Sequence, residues 1–510
     1  MAKNEEHRMS LEVAPMPGEE TPPDFVVTGF EGEEEISSLY RFELDLESEN
    51  PGLDVLSLLH REATFTMEHR ELRKVRGIVQ EAAQLGKCPS GRYAYRIVLG
   101  PTMAKLDLSR QSQIYGTNGE VNVLDIAETE LTAGSAEGTR GAAAAHIDPS
   151  TLDIRAPRKE YPLRNYVVQY KETDLAFVRR LLEHRGIFFF FDHSDDREKL
   201  ILGDHNASFD PVPDPSGDDK PRKMEFSARA KDVDAGNTTV QTLVRRCSPL
   251  PAKLMLREHN YRGELGSKRN PEYLHVERTV SSDGHGVHVT YDEQFKDTAE
   301  GRQLAKVRAE GMRCRQDMYT GTSDCYLFSE GHVFELQHHF NKAFNQPYLI
   351  VSVKHKGGIR LPEGGPAYSN EFTAIPASTP FRPERRTPRP LVPGVFNAYV
   401  DASGDGLRAA IDDSGRYKIR LPFDLTGADQ GMASRYMRMA QPYANFSSSG
   451  GGSGGMHFPL LKGTEVLCAC VNGNPDRPVI LSAIPNPRTK SPVTGENAGQ
   501  NRIRTTSGIL

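Results

Sequence analysis

Residues 463–481 read GTEVLCACVNGNPDRPVIL. Residues 465–470 have the composition of a strand, and a second apolar run follows after a corner spelled Gly-Asn-Pro-Asp-Arg-Pro. Asn474 at the first position and Pro475 at the second suit a type I turn. Pro475 presets its φ angle, and the asparagine side chain bonds nearby backbone. Pro478 has no N–H to donate, so the second strand must begin at a sheet edge or just beyond one. Gly473, Asn474, Pro475, Asp476, Arg477 and Pro478 therefore read as a stiff hairpin corner. It contains no nucleophile, metal cage or phosphate cradle.

Outward from this corner, other segments carry strand or helix patterns. Residues 414–424 (SGRYKIRLPFD) and 437–444 (MRMAQPYA) are strand-like. Residues 170–191 (YKETDLAFVRRLLEHRGIFFFF) run from a helix into a strand. Thr173 is a fair N-cap, Asp174 is favourable in the first turn, and Gly186 is a natural C′ residue. Leu175, Val178, Leu181 and Leu182 share one face, and residues 187–191 continue as a buried strand. A second helix is expected over 298–313, with Leu304, Val307 and Met312 inward. Short helices are expected over 53–59 and 121–131. In YRFELDL, residues 40–46, Tyr40, Phe42, Leu44 and Leu46 alternate with charges, the pattern of a half-buried strand.

The order and spacing of these segments, with SEGHVFEL at 329–336, YLIVSVKH at 348–355, RGIV at 76–79 and SRQ at 109–111, resemble VgrG proteins. These are the trimeric spike-tip proteins of type VI secretion systems, related to contractile phage baseplate hubs. The likeness covers residues 20–487. It implies a mainly β chain with a few helices: tandem β-barrel hub domains, then a small barrel of the oligonucleotide/oligosaccharide-binding (OB) type, then the stub of a β-helix. The implied divisions are a flexible N-terminus at 1–21, a hub at 22–375 with two interleaved barrels, a proline-rich linker at 376–390, the OB-type barrel at 391–487, and the start of a needle at 488–510. The chain is expected to stop before that needle. The implied partners are two further copies in a homotrimer, hexamers of the Hcp tube, baseplate proteins, and a PAAR-repeat tip protein with effectors carried by the needle. Departures include Cys470, where the family usually has an aromatic residue, and Ser482, where it has glycine. A phage tail hub-spike, or the hub of another contractile injection particle, is the related alternative.

Composition narrows the alternatives. A chain of 510 residues implies more than one core. Its hydrophobic fraction of 37% and mean hydropathy of −0.55 are those of a soluble protein. No apolar run approaches the ~20 residues that span a bilayer, so no stable membrane insertion is expected. The start, MAKNEEHRMS, lacks a signal-peptide core. The expectation is cytoplasmic assembly followed by export through the secretion apparatus. The net charge of −6 argues against a general nucleic-acid binder. Forty-five glycines and 34 prolines, with no tryptophan, indicate many turns and short strands. Six scattered cysteines read as reduced thiols.

Each candidate chemical site has a plainer competitor. Cys468 and Cys470 share a strand face, but no further ligands stand at metal-site spacing, so small buried side chains are the better reading. The pairs His338–His339 and His285–His288 lack a zinc-protease pattern and read as surface or structural histidines. The glycine run 450–455, in SSSGGGSGG at 447–455, lacks the lysine and helix of a phosphate loop. Arg416, Lys418 and Arg420 make a basic stripe without interleaved stacking aromatics, so a solvated or subunit-facing surface is favoured over nucleic acid. Arg416 and Glu465 are candidates for a charge pair within or between barrels. A cell-wall hydrolase would need two carboxylates across a cleft, and the sequence shows no such pair. The expectation is a mechanical protein, not an enzyme, without catalytic residues, cofactor or metal.

Overall fold

The computed structural model describes residues 8–16, 23–68, 71–117, 119–132, 147–214, 220–227, 238–263, 272–358, 368–424, 427–445, 454–505 and 508–509. Most of the loops expected over 132–145 and 447–455, and the N-terminal stretch apart from 8–16, lie outside these. The chain divides into two compact units, one drawn from residues 1–105, 145–160 and 181–386, the other from 106–144, 161–180 and 387–510.

Two closed rings of strands build the first unit. The first uses β1 (Arg8–Val13), β2 (Val26–Glu35), β3 (Arg41–Ser48), β4 (Glu62–Glu68), β5 (Leu72–Lys87) and β6 (Tyr93–Gly100). Their order is β1-β4-β5-β6-β3-β2, and the pairing of Ser10 with Val26 closes the circuit. Strand β1 falls in the stretch expected to be flexible. It is held because Leu11 and Val13 alternate inward while the whole strand pairs with β4. Alternation also explains β3, where Phe42, Leu44 and Leu46 are buried and Arg41 is outside. Aromatic rings fill the interior, with Phe30 and Phe65 edge to face at 4.8 Å between centroids.

The second ring uses β7 (Arg222–Phe226), β8 (Thr239–Cys247), β9 (Asp317–Ser323), β10 (His332–Gln337), β11 (Pro347–Gly358) and β12 (Tyr368–Pro376). Its order is β11-β12-β9-β8-β7-β10, closed by the pairing of β10 with β11. Phe328, Phe334, Tyr348, Phe372 and Val353 occupy its core. The two rings share one antiparallel ladder, β2 against β11, from Gly29–Gly358 to Glu35–Ser352. Closure removes the open edges that a flat sheet of this size would expose.

Also in the first unit, a three-stranded sheet of Lys253–His259, Tyr273–Thr279 and Val287–Tyr291 packs beneath the helix Thr298–Arg313. The bounds of that helix match the sequence expectation, with Leu304 and Val307 buried. The first half of the proline-rich segment is a packed strap: Phe381 enters a core with Phe188 and Phe209, and Arg382 Nε donates to Glu310 at 2.9 Å.

The second unit centres on β13 (Val395–Asp401), β14 (Lys418–Arg420), β15 (Glu465–Cys470) and β16 (Pro478–Ala483), ordered β14-β13-β15-β16. Bridges from Tyr417 to Met437 and from Met439 to Ile480 add the segment 437–439 and curl the sheet shut. The circuit is first, second, third, fifth, fourth in chain order, with the third and fifth strands parallel. That is the five-stranded OB topology. Strands Arg110–Tyr115 and Val167–Thr173 pair with each other, and Ile114, Tyr166 and Val168 pack on the barrel core of Val400, Ile419, Val466 and Ile480.

Candidate functional site

Among the described residues, three places held together by polar side chains are candidate sites: the barrel corner, the ends of the helix Asp174–Arg185, and the junction of the two rings.

At the corner, Val471–Gly473 forms a short 3₁₀ turn in which Asn472 and Gly473 have φ of 55° and 69°. Asparagine and glycine tolerate that left-handed region best. The chain then turns at 474–477. Arg477 N donates to Asn474 O at 2.9 Å, and Asp476 N donates to Asn474 Oδ1 at 3.0 Å. Pro475 is buried between these bonds, and Asn474 is wholly buried. Pro478 opens β16, the end strand of its sheet, opposite Cys470. The corner also reaches outward. Val392 N donates to Gly473 O at 2.8 Å, and Val168 N donates to Asp476 Oδ1 at 2.7 Å. Arg435 Nη2 donates to Asp476 O at 3.0 Å. One carboxylate thus ties the corner to the strand Val167–Thr173.

Arg416 and Glu465 do not meet in the folded chain. Arg416 Nη2 lies 2.5 Å from Asp412 Oδ2, while Glu465 accepts from Asn397 at 3.0 Å and from Asn486 at 2.7 Å. A partner four residues away on the same turn is reached at a smaller entropy cost than one on another strand. Lys418 donates to Gly431 O at 2.7 Å and Arg420 to Ala428 O at 2.8 Å, so two cations of the stripe are engaged by backbone.

The helix begins as capping chemistry requires. Ala176 N donates to Thr173 Oγ1 at 3.2 Å, and Asp174 accepts from Gln169 Nε2 at 2.7 Å and Gln111 Nε2 at 3.1 Å. At the other end Gly186 has φ of 73°. Gly186 N bonds to Glu183 O at 3.2 Å and Ile187 N to Leu182 O at 3.0 Å, the pair of bonds of a Schellman motif.

The ring junction was missed in the sequence. Glu34 on β2 and Arg73 on β5 are both buried, with Arg73 Nη2 2.5 and 2.7 Å from the two carboxylate oxygens. Arg73 Nη1 donates to Tyr326 O at 2.9 Å and Phe328 O at 2.7 Å, so a first-ring arginine holds the loop that leads into β10. His355 on β11 completes the chain, its Nε2 2.9 Å from Glu34 and its Nδ1 2.7 Å from the Tyr368 hydroxyl. Burial pushes the Glu34 carboxyl up, but the Arg73 charge and the His355 hydrogen bond outweigh it, leaving Glu34 well below the usual carboxylate range. Burial and then Arg73 push His355 down, so it stays neutral. Glu330, driven by burial and then by the Glu34 charge, sits far above the usual range and keeps its proton. Nearby, burial lifts Glu198 to about 8 despite hydrogen bonds from the Tyr40 hydroxyl and Thr102 N, and lowers His193 to about 4. The available signal was alternation, which places Glu34 on the inward face with Phe30 and Gly32.

The remaining candidates have local explanations. Burial pushes the Cys468 and Cys470 thiols up to about 12 each, so neither is a thiolate at neutral pH. His339 is buried against Phe226 and Phe344, and His338 is exposed 3.7 Å from Glu225. His285 and His288 are exposed. The glycine run 450–453 lies outside the described residues. Among the described residues, no three His, Cys, Asp or Glu side chains gather as a metal group, and no helix is long and apolar enough to cross a membrane.

Comparison with known proteins agrees with this architecture. The family model of the phage tail baseplate hub (GPD) matches residues 33–359. The Pseudomonas aeruginosa type VI secretion system spike protein VgrG4b is 29% identical over 488 residues, covering 90% of this chain and 54% of its own length. The Vibrio cholerae actin cross-linking toxin VgrG1 is 24% identical, covering 89% of this chain and 40% of its own. This chain thus spans about half the length of such relatives. Among solved structures, the E. coli c3393 protein, described as a component of the type VI secretion system similar to T4 tail proteins gp27 and gp5, aligns over 93% of this chain and all of its own. Its TM-score is 0.64 at 23% identity. A chain of a Francisella PdpA–VgrG complex gives a TM-score of 0.60 at 11% identity, over 98% of this chain and 82% of its own. The chain belongs to the phage tail baseplate hub (GPD) family and is a VgrG-type member of it.

Proposed function

We propose that this chain is the head of a type VI secretion spike, a homotrimer that caps the inner tube and is driven through a target envelope by sheath contraction. The observation that carries the reading is the chain order of its closed barrels. Two six-stranded rings fused through one ladder are followed by a five-stranded OB barrel, in a sequence whose hub-family match spans 33–359. Such a device transmits force, and closed barrels with hydrogen-bonded joints suit that task better than a flexible cleft. On this reading the stacked partner is the Hcp tube. Baseplate proteins surround the head, and a PAAR-repeat tip with effectors is carried beyond it. The head assembles in the cytoplasm without inserting into a membrane and leaves through the apparatus. Its work is mechanical, with no catalytic step, cofactor or metal, and residues 22–375, 391–487 and 488–510 correspond to hub, neck and needle entry.

Deleting the gene in its host and assaying the culture medium for the inner-tube protein tests this. Loss of export, restored by the full-length gene, is the expected result. Unchanged export with loss of phage-like particles would instead select the tail-hub reading, which the hub-family match also accommodates.

A further inference from the structure

The three-stranded sheet of the first unit has an unusual edge. The helix Thr298–Arg313 covers one face, where Leu254, Leu256, Leu274 and Val276 are buried. The strand Val287–Tyr291 runs parallel to Lys253–His259 at the sheet's end, and no other strand pairs with it among the described residues. Three of its side chains remain more than half exposed: Val287 at 53%, Val289 at 55% and Tyr291 at 54%. Alternation puts all three on the face away from the helix, in register with Lys253, Met255 and Arg257. Isolated exposed apolar residues need no explanation, but a period-two row on an unpaired edge is what strand addition uses. Main-chain groups of the free edge supply affinity, and alternate side chains supply selectivity.

Charge selects the occupant. Arg257 is exposed and its guanidinium makes no ion pair among the described residues, while Lys253 is only loosely matched, 3.9 Å from Glu277. The row of apolar side chains is therefore flanked by cations in register with it.

We propose that the edge Val287–Tyr291 accepts an extended, acidic segment of a protein partner. The segment adds as a fourth strand, with apolar side chains on Val287, Val289 and Tyr291 and a carboxylate on Arg257. This stands on the geometry of the sheet and is independent of the spike reading.

Two fluorescein-labelled decapeptides, each with Thr at the even positions and Val at the odd ones except the last, which is Glu in one and Lys in the other so that charge and apolar side chains share a face, serve as probes of the intact chain by fluorescence anisotropy. The acidic peptide is expected to bind saturably and the basic one at least about tenfold more weakly. Arg257→Glu and Val289→Asp should each weaken the acidic peptide about tenfold. Both positions are exposed, so thermal melts should be unchanged. If Val289→Asp destabilises the sheet, Arg257→Glu alone decides. Equal binding of both peptides, no binding, or binding indifferent to Arg257→Glu overturns the proposal. A change in the solution mass of the chain caused by either variant also overturns it, because the edge would then be a contact between copies.

Discussion

At the scale of single residues, the fold depends on where protons sit. Glu198 is buried with its carboxyl raised from 4.5 to about 8, first by burial. An acid raised on folding stabilises fully below its unfolded pKa, and that contribution is lost as pH rises through the folded value. Between pH 4.5 and about 8 the native state therefore holds a proton that the unfolded chain has released. Stability read by urea unfolding should fall across this window in the natural chain and fall less in Glu198→Gln, by on the order of 4 kcal/mol at the alkaline end. Identical pH slopes in the two proteins would refute the assignment. Glu34 works in the opposite direction: depressed by Arg73 and His355 against burial, it loses its contribution as pH falls below the unfolded carboxylate value. Removing its partner is costlier than acid. Arg73→Ala strands a buried carboxylate and two carbonyls and should destabilise by roughly 3–5 kcal/mol, read by denaturant unfolding.

At the scale of elements, what was legible in the sequence was what is local. The helix Thr298–Arg313 and the Schellman stop at Gly186 follow from periodicity and one glycine. The turn at 474–477 follows from Asn-Pro chemistry. A Cβ at Gly186 would meet Val307 Cγ1 at 2.4 Å with φ at 73°, so Gly186→Ala should cost roughly 2 kcal/mol or more, measured as a lowered unfolding midpoint. At the corner, Asp476→Ala leaves Val168 N without its acceptor and should cost roughly 1–3 kcal/mol, whereas Asp476→Asn keeps an acceptor oxygen and should recover most of it. Equal losses in both variants would show that the bond to Val168 contributes little. What was not legible is long-range. The closing pair Ser10–Val26 is a single contact, and Arg73 reaches carbonyls more than 250 residues away, which no window of local pattern contains. Arg416 turned to Asp412, four positions off, because short-range partners are reached first and at less cost than a cross-strand Glu465. Prolines mark 376–390 as a linker, whereas the arginines of the strap Phe381–Arg386 anchor it: Arg382 on Glu310, Arg385 on Glu293, Arg386 on Glu35.

At the scale of the whole molecule, the two rings sharing β2 and β11 mean that stress on one barrel passes directly into the other through hydrogen-bonded ladder and buried charge. Exposed ion pairs on the same ladder, Lys356–Glu31 and Lys354–Glu33, lie on the outer surface and contribute little each, so rigidity comes from closure and packing. On the proposed reading, a force-transmitting head gains further from obligate, symmetric association, which buries large surfaces that a single chain leaves open. The central claim is therefore one of assembly, and the most direct measurement is the solution mass of the purified chain by multi-angle light scattering across a range of concentrations. The account predicts a species near three times 56.6 kDa. A mass of 56.6 kDa at every concentration would contradict it.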